Sequence, residues 1–273
     1  MKFTQSFKSF TQSPYRSIKH STYFEVYDHL FLPYKGKPIT FVEIGVLGGG
    51  SLFMWRDYFG PQARIIGVDL SPNASKWQEH GFEIFIGSQS DPHFWNNFKA
   101  QVGRLDLVLD DGGHTYEQQI VTVESLLDAM NDGGLLVVED THTSYMKGFG
   151  QTRYSFIEYV KQKIDQINFR FAKFSTKPAE KRFWSIEIFD SIVAFRMNRQ
   201  ASQLKSELID NGGQNDHAID LRAQAQVASA THSTSTHSKL GFLLRCSYLK
   251  KVMVKLQQLI KYNKATYKKY FIG

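Results

Sequence analysis

The stretch Phe41-Val42-Glu43-Ile44-Gly45-Val46-Leu47-Gly48-Gly49-Gly50-Ser51 constrains the fold more than any other: an apolar run with one acid, then clustered glycines, then a helical pattern. An unbroken run of Phe, Val and Ile suits a strand buried on both faces, as in parallel sheets. Glycines let the backbone turn sharply and approach a ligand where the next helix presents its free N–H groups. The unit reads as a strand, a nucleotide or nucleoside cradle, and a helix. Phosphate-binding readings lose ground, because Val46 and Leu47 separate Gly45 from Gly48, so G-x-G-x-x-G is not matched, and no Gly-Lys-Ser/Thr follows. For a glycine loop standing alone, the bland alternative is a structural turn with no ligand.

Further units of the same kind follow. Arg64 to Leu70 reads as a second strand with Asp69 near its carboxyl end, where an acid can accept hydrogen bonds from both ribose hydroxyls. Phe82 to Ile86 is the third, and Gln89 just beyond it is the candidate for an adenine edge. Asp91 before Pro92 reads as a helix N-cap. Leu105 to Asp110 is the fourth strand, ending in Asp110-Asp111-Gly112-Gly113-His114. A helix from Tyr116 to Met130, closed by a glycine C-cap at Asn131-Asp132-Gly133-Gly134, leads to the fifth strand at Leu135 to Val138. That strand ends in Glu139-Asp140-Thr141-His142-Thr143-Ser144-Tyr145. A helix over 154–167 and a hairpin turning at Asp190-Ser191 complete an α/β fold, a Rossmann-like seven-stranded sheet with an antiparallel last strand.

Before the first strand, residues 1–38 are expected to supply an arm or lid, broken at Pro14, and a helix with Tyr23, Val26, Tyr27, Leu30 and Phe31 on one face. After the domain at 39–197, a polar linker spans 198–239. A basic amphipathic helix is expected within 240–273, its apolar face running from Leu249 to Ile260. The charge divides accordingly: ten bases and no acid follow Asp220, leaving 23 bases against 26 acids in residues 1–220, a net of −3. A single cysteine, Cys246, excludes a disulfide framework and a cysteine zinc cluster. With no apolar leader core and no apolar run of membrane-spanning length, a cytoplasmic location is expected.

Strands four and five are neighbours in such a sheet, about 4.8 Å apart, so Asp111 and Glu139-Asp140 can converge on one ion. Oxygen donors without Cys favour a hard cation such as Mg²⁺ over zinc. The bland alternative is that these acids cap loops and that His114 is the N-cap of its helix.

The pattern Glu43-x-Gly45-x-x-x-Gly49-x-Ser51 resembles the first motif of class I S-adenosylmethionine-dependent methyltransferases. Asp110 to His114, Glu139 to Tyr145 and the hairpin Ile186 to Phe195 resemble, over roughly residues 17–197, the metal-dependent sugar O-methyltransferases of macrolide biosynthesis, of the mycinamicin and demethylmacrocin type. Cephalosporin hydroxylase-like sequences share much of the pattern. The resemblance implies that Asp111, Glu139 and Asp140 hold Mg²⁺, that His114 is the general base, and that Glu43, Gly45 and Asp69 hold S-adenosylmethionine. With Gly48, Gln89 and Asp110 these form the expected cofactor-binding set. An imidazole, with an ordinary pKa of about 6.5, suits a base at cellular pH.

The expected activity is O-methylation of a hydroxyl on a sugar, glycosylated metabolite or glycan. The alternative is a non-catalytic nucleoside-binding or scaffold protein with a membrane- or partner-binding tail. A nicotinamide oxidoreductase is weakened by the missing G-x-G-x-x-G. The tail is expected on an anionic membrane surface, at the membrane's inner face, or docked on the body, a partner or a second copy; nucleic acid is the weaker reading.

Overall fold

A computed structural model describes residues 4–174, 176–214 and 266–271. The chain divides into two compact units, residues 1–205 with 270–273, and Ser206–Lys269. The first contains a seven-stranded sheet of order β3-β2-β1-β4-β5-β7-β6. Its strands are β1 (Thr40–Ile44), β2 (Arg64–Asp69), β3 (Glu83–Ile86), β4 (Leu105–Asp110), β5 (Met130–Val138), β6 (Ser185–Phe189) and β7 (Ile192–Arg196). Strands β1 to β5 pair in parallel, and β7 runs antiparallel to both β5 and β6, as expected. Central strands bury nearly every residue, whereas edge strand β3 buries only Ile84. That difference is why the central strands read as unbroken apolar runs.

The helices are α1 (Gln5–Gln12), α2 (Tyr23–Phe31), α3 (Gly50–Phe59), α4 (Pro92–Val102), α5 (Tyr116–Leu126), α6 (Phe156–Asn168) and α7 (Arg199–Gln203). Trp55 of α3 is the centre of an aromatic cluster, with ring centroids 5.1 Å from Tyr27, 5.6 Å from Phe31 and 5.3 Å from Phe41. This cluster pins α2 and α3 to β1, and so fixes the approach of the N-terminal segment to the sheet.

Three expectations change. Residues 1–21 are not all arm: Thr4 caps α1, whose Ser9 donates to Asp57 of α3, and the irregular segment starts only at Ser13. Asn131 to Gly134 do not cap α5, which ends at Leu126 and runs into a 3-10 turn at Leu127–Ala129. They belong to β5, where a register irregularity between Leu105 and Leu107 absorbs the positive φ of Gly133. The polar segment from 198 opens with α7, capped by the Asn198 side chain. The remainder of the expected linker from residue 215 and the amphipathic face at 249–260 lie outside the described residues. No helix among the described residues is long and apolar enough to cross a membrane.

Between α5, α6 and the segment before β6 lies a buried ion network that sequence gave no sign of. Lys163 reaches Glu124 at 2.8 Å and Glu180 at 3.1 Å, and Arg182 reaches the same two acids at 2.7 Å each. Burial pushes the Glu180 carboxyl up, but the Arg182 hydrogen bonds and the nearby charges of Arg182 and Lys163 outweigh it and hold the group down to about 2. A carboxyl lowered on folding stabilises the protein above its unfolded value near 4.5, and the contribution disappears as pH falls through about 2. The shift corresponds to about 3 kcal/mol. Glu180→Gln should therefore unfold more easily than wild type at pH 7, with the difference closing between pH 5 and 2. A gap in thermal unfolding that does not change with pH would contradict this.

Candidate active site

Register places the site. Ile44 pairs with Val68 on one side and Asp110 on the other, and Asp110 pairs with Val138. The residues that follow therefore leave the sheet at one end, at the point where strand order reverses between β1 and β4, the ligand-binding position of open α/β sheets. A cleft of about 420 Å³ opens there, walled by Gly45, Leu47, Asp69, Gln89, Gly112 and Asp140 among others.

At the β2 end, Asp69 faces the cleft. Its Oδ2 accepts from the amides of Val46 and Leu47 at 2.9 Å and its Oδ1 from Ser71 at 2.7 Å. The carboxylate thus shapes the glycine loop as well as bordering the cleft. Only Gly45 of the loop's glycines lines it, and an added Cβ there would stand 2.1 Å from the Asp111 carbonyl oxygen. The expectation that the clustered glycines admit a ligand is corrected for the others. A Cβ on Gly50 would lie 2.3 Å from the Tyr15 carbonyl oxygen, one on Gly48 3.0 Å from that of Arg16, and one on Gly49 2.2 Å from the Trp77 ring. These glycines make room for the N-terminal segment and for Trp77.

Glu43, Asp110 and Gln89 lie deeper than expected. Glu43 is fully buried, accepting from Ser51 at 2.7 Å and Trp55 at 3.0 Å. Asp110 is buried beneath Gln89, whose amide nitrogen donates to both Asp110 oxygens and to Thr122 while its oxygen accepts from the Gly113 amide. Gln89 borders the cleft, but its polar atoms brace the loop after β4. Burial pushes Glu43 and Asp110 up to about 7.

At the other end, Asp111, His114 and Asp140 each place one ligand atom within 4.8 Å of the others. His114 Nε2 lies 3.3 Å from Asp140 Oδ2 and 4.0 Å from Asp111 Oδ1. His114 is not the helix N-cap; Thr115 is, in a capping box with Gln118. Both His114 and Asp140 have left-handed backbones, with φ of 57° and 53°. Such conformations cost on the order of 1–3 kcal/mol each and cluster at functional sites. The two carboxylates, with open space for water, suit a hard dication.

Glu139 does not share that point. Its Oε1 accepts from Tyr27 at 2.5 Å and its Oε2 from Lys19 at 3.1 Å, and burial pushes it up to about 8. The Lys19 ammonium also lies 2.6 Å from Asp111 Oδ2 and 3.9 Å from Glu43 Oε1. Burial lowers its hold on the proton, but Asp111 and Glu139 outweigh burial and push its pKa well above the ordinary lysine value. A lysine thus stands between two of the three expected metal ligands.

Sequence reading missed Lys19, Tyr23 and Tyr27. Tyr23 donates to Asp140 at 2.5 Å, and its hydroxyl lies 3.0 Å from that of Ser191. A signal existed for the tyrosines: a buried tyrosine on an apolar helix stripe needs a hydroxyl partner, and both occupy the inward face of α2. Lys19 gave none, being one base in a segment without period.

A sheet of this order, with a cleft over its switch point and acids ending β4 and β5, is the Rossmann-like methyltransferase fold. Residues 42–141 match the family model described as a methyltransferase domain. The 8-demethyl-8-alpha-L-rhamnosyl tetracenomycin-C 2'-O-methyltransferase of Streptomyces olivaceus is 34% identical over 159 residues, 54% of this chain and 41% of that protein. Demethylmacrocin O-methyltransferase of Streptomyces fradiae is 34% identical over 131 residues, 45% of this chain and 33% of the relative. The solved methyltransferase of the mycinamycin biosynthetic pathway, in complex with Mg, SAH and mycinamycin VI, superposes with a TM-score of 0.63 at 25% identity, covering 82% of this chain and 58% of that one. The match spans less than half the length of these curated relatives.

Proposed function

We propose that the protein is an S-adenosylmethionine-dependent, divalent-cation-assisted O-methyltransferase acting on a hydroxyl of a sugar or glycosylated small molecule. The observation that carries this is the pairing of His114 with Asp111 and Asp140 at one end of a cleft whose other end is bordered by Asp69. The acceptors in the relatives' names, rhamnosyl tetracenomycin and demethylmacrocin, support the acceptor class.

In this reading Asp69 accepts from the ribose, and Asp111, Glu139 and Asp140 hold the cation. A bound Mg²⁺ would acidify and direct a coordinated hydroxyl. His114 would take the proton of the acceptor hydroxyl on Nε2, and bound S-adenosylmethionine would supply the methyl group to that oxygen. Asp140 steadies the resulting imidazolium from 3.3 Å. Gln89 and Asp110 keep the loop bearing Asp111 and His114 in place.

Calorimetric titration with S-adenosylmethionine against NADH tests the class: binding of NADH alone would overturn it. Asp69→Ala should weaken S-adenosylmethionine by about 2–3 kcal/mol, the worth of charge-assisted hydrogen bonds. Unchanged affinity would remove Asp69 from the site.

A further inference from the structure

The segment from Ser13 to Thr22, between α1 and α2, is laid across the site. Its outer end is held by the Ser13 hydroxyl, which donates to the Gly50 carbonyl at 2.7 Å, and by the Tyr15 ring, 4.6 Å from Trp77 and 4.9 Å from Phe53. Its inner end is held by Lys19, whose side chain is 2% exposed. Ile18, between them, forms part of the cleft wall and is 68% exposed. The segment is thus tied down at both ends, with Ile18 between the ties and open to the cleft.

The Lys19 ammonium takes hydrogen-bond distances to Asp111 Oδ2 and Glu139 Oε2, which come from the ends of adjacent parallel strands. A hard dication bonded to those same oxygens would sit about 2.0–2.1 Å from each. Both oxygens point at Nζ, so ion and ammonium would occupy one place. Two positive groups there would also repel, the more so because Lys19 and Glu139 are buried. They exclude one another.

We propose that Lys19 is a tethered cation that holds the Asp111–Glu139 pair until a divalent ion replaces it, so that loading the ion frees the segment around Ile18 and Lys19 from the cleft. Asp140 and His114 lie beside this position on the cleft side, and an ion entering from there meets Asp111 Oδ1 first. The carboxylates change partner without a step in which they stand buried and uncompensated. Lys19 would then be a positioning residue, setting the affinity for the ion and coupling it to the shape of the acceptor side of the cleft. This rests on reading Asp111 and Glu139 as cation ligands.

The test uses the full chain with Mn²⁺ as probe, without cofactor or acceptor. Free Mn²⁺ is read by electron paramagnetic resonance for wild type, Lys19→Met and Lys19→Arg. Lys19→Met should bind Mn²⁺ at least tenfold more tightly than wild type, and Lys19→Arg should stay within threefold of it. In wild type, saturating Mn²⁺ should also speed trypsin cleavage after Lys19 several-fold. This second readout decides if the methionine variant does not fold. Equal or weaker Mn²⁺ binding by Lys19→Met, or cleavage unchanged or slowed by Mn²⁺, overturns the proposal. The methyltransferase reading fails separately, through absence of S-adenosylmethionine binding, which would leave the Mn²⁺ results and the tethered cation standing.

Discussion

His114→Asn is expected to slow methyl transfer about 10²- to 10⁴-fold, the usual worth of a positioned general base, while leaving S-adenosylmethionine affinity within twofold. Asparagine is the informative replacement because His114 has a φ of 57°, and asparagine is among the few residues that adopt that region readily. The Asp111–Gly113 loop, tied to Gln89 and Asp110, should keep its shape. The imidazole, which among the described residues is the one histidine ring near both Asp111 and Asp140, is what disappears. The comparison of Mn²⁺ affinity between variant and wild type then separates two roles. A base leaves that affinity within threefold, whereas a tenfold or greater loss would make His114 a ligand of the ion.

Asp140→Asn is expected to remove metal-stimulated turnover, a loss of about 10³-fold if the ion supplies several kcal/mol to the transition state. The argument is again geometric. Asp140 has a φ of 53°, a conformation asparagine tolerates, and an amide oxygen can still accept from Tyr23. What is lost is the charge beside His114. Cofactor affinity should hardly change, because Asp69 lies at the other end of the cleft and Asp140 makes no bond to the glycine loop. Turnover that persists in the variant, or in wild type after dialysis against EDTA, would sink the cation reading.

The two variants act on side chains whose polar atoms lie 3.3 Å apart, so their effects should not add. If each removes the same unit, the double variant will be little slower than the worse single one. Additive losses would mean that proton transfer and cation binding are separate functions of the two residues.

The sequence by itself determined the sheet and the end at which the site lies. Strands buried on both faces are mostly apolar, and the acids that end them stand out against the apolar residues just before them; hence β1, β2, β4, Asp69, Asp111 and Glu139-Asp140 were legible. Asp91 and its proline likewise announced a helix start by local chemistry, which the Asp91 bond to the His93 amide bears out. Tertiary structure alone decided what those acids face. Whether a carboxylate points to the cleft or inward depends on its neighbours across the sheet. Glu43 is turned to Trp55 and Ser51, Asp110 to Gln89, and Glu139 to Tyr27 and Lys19. The partners of Glu139 come from residues over a hundred positions away along the chain, where no local pattern marks them. The glycine loop shows the same limit: its composition called for close approach, but only the folded chain shows that at Gly48 and Gly50 the approaching group is the protein's own N-terminal segment.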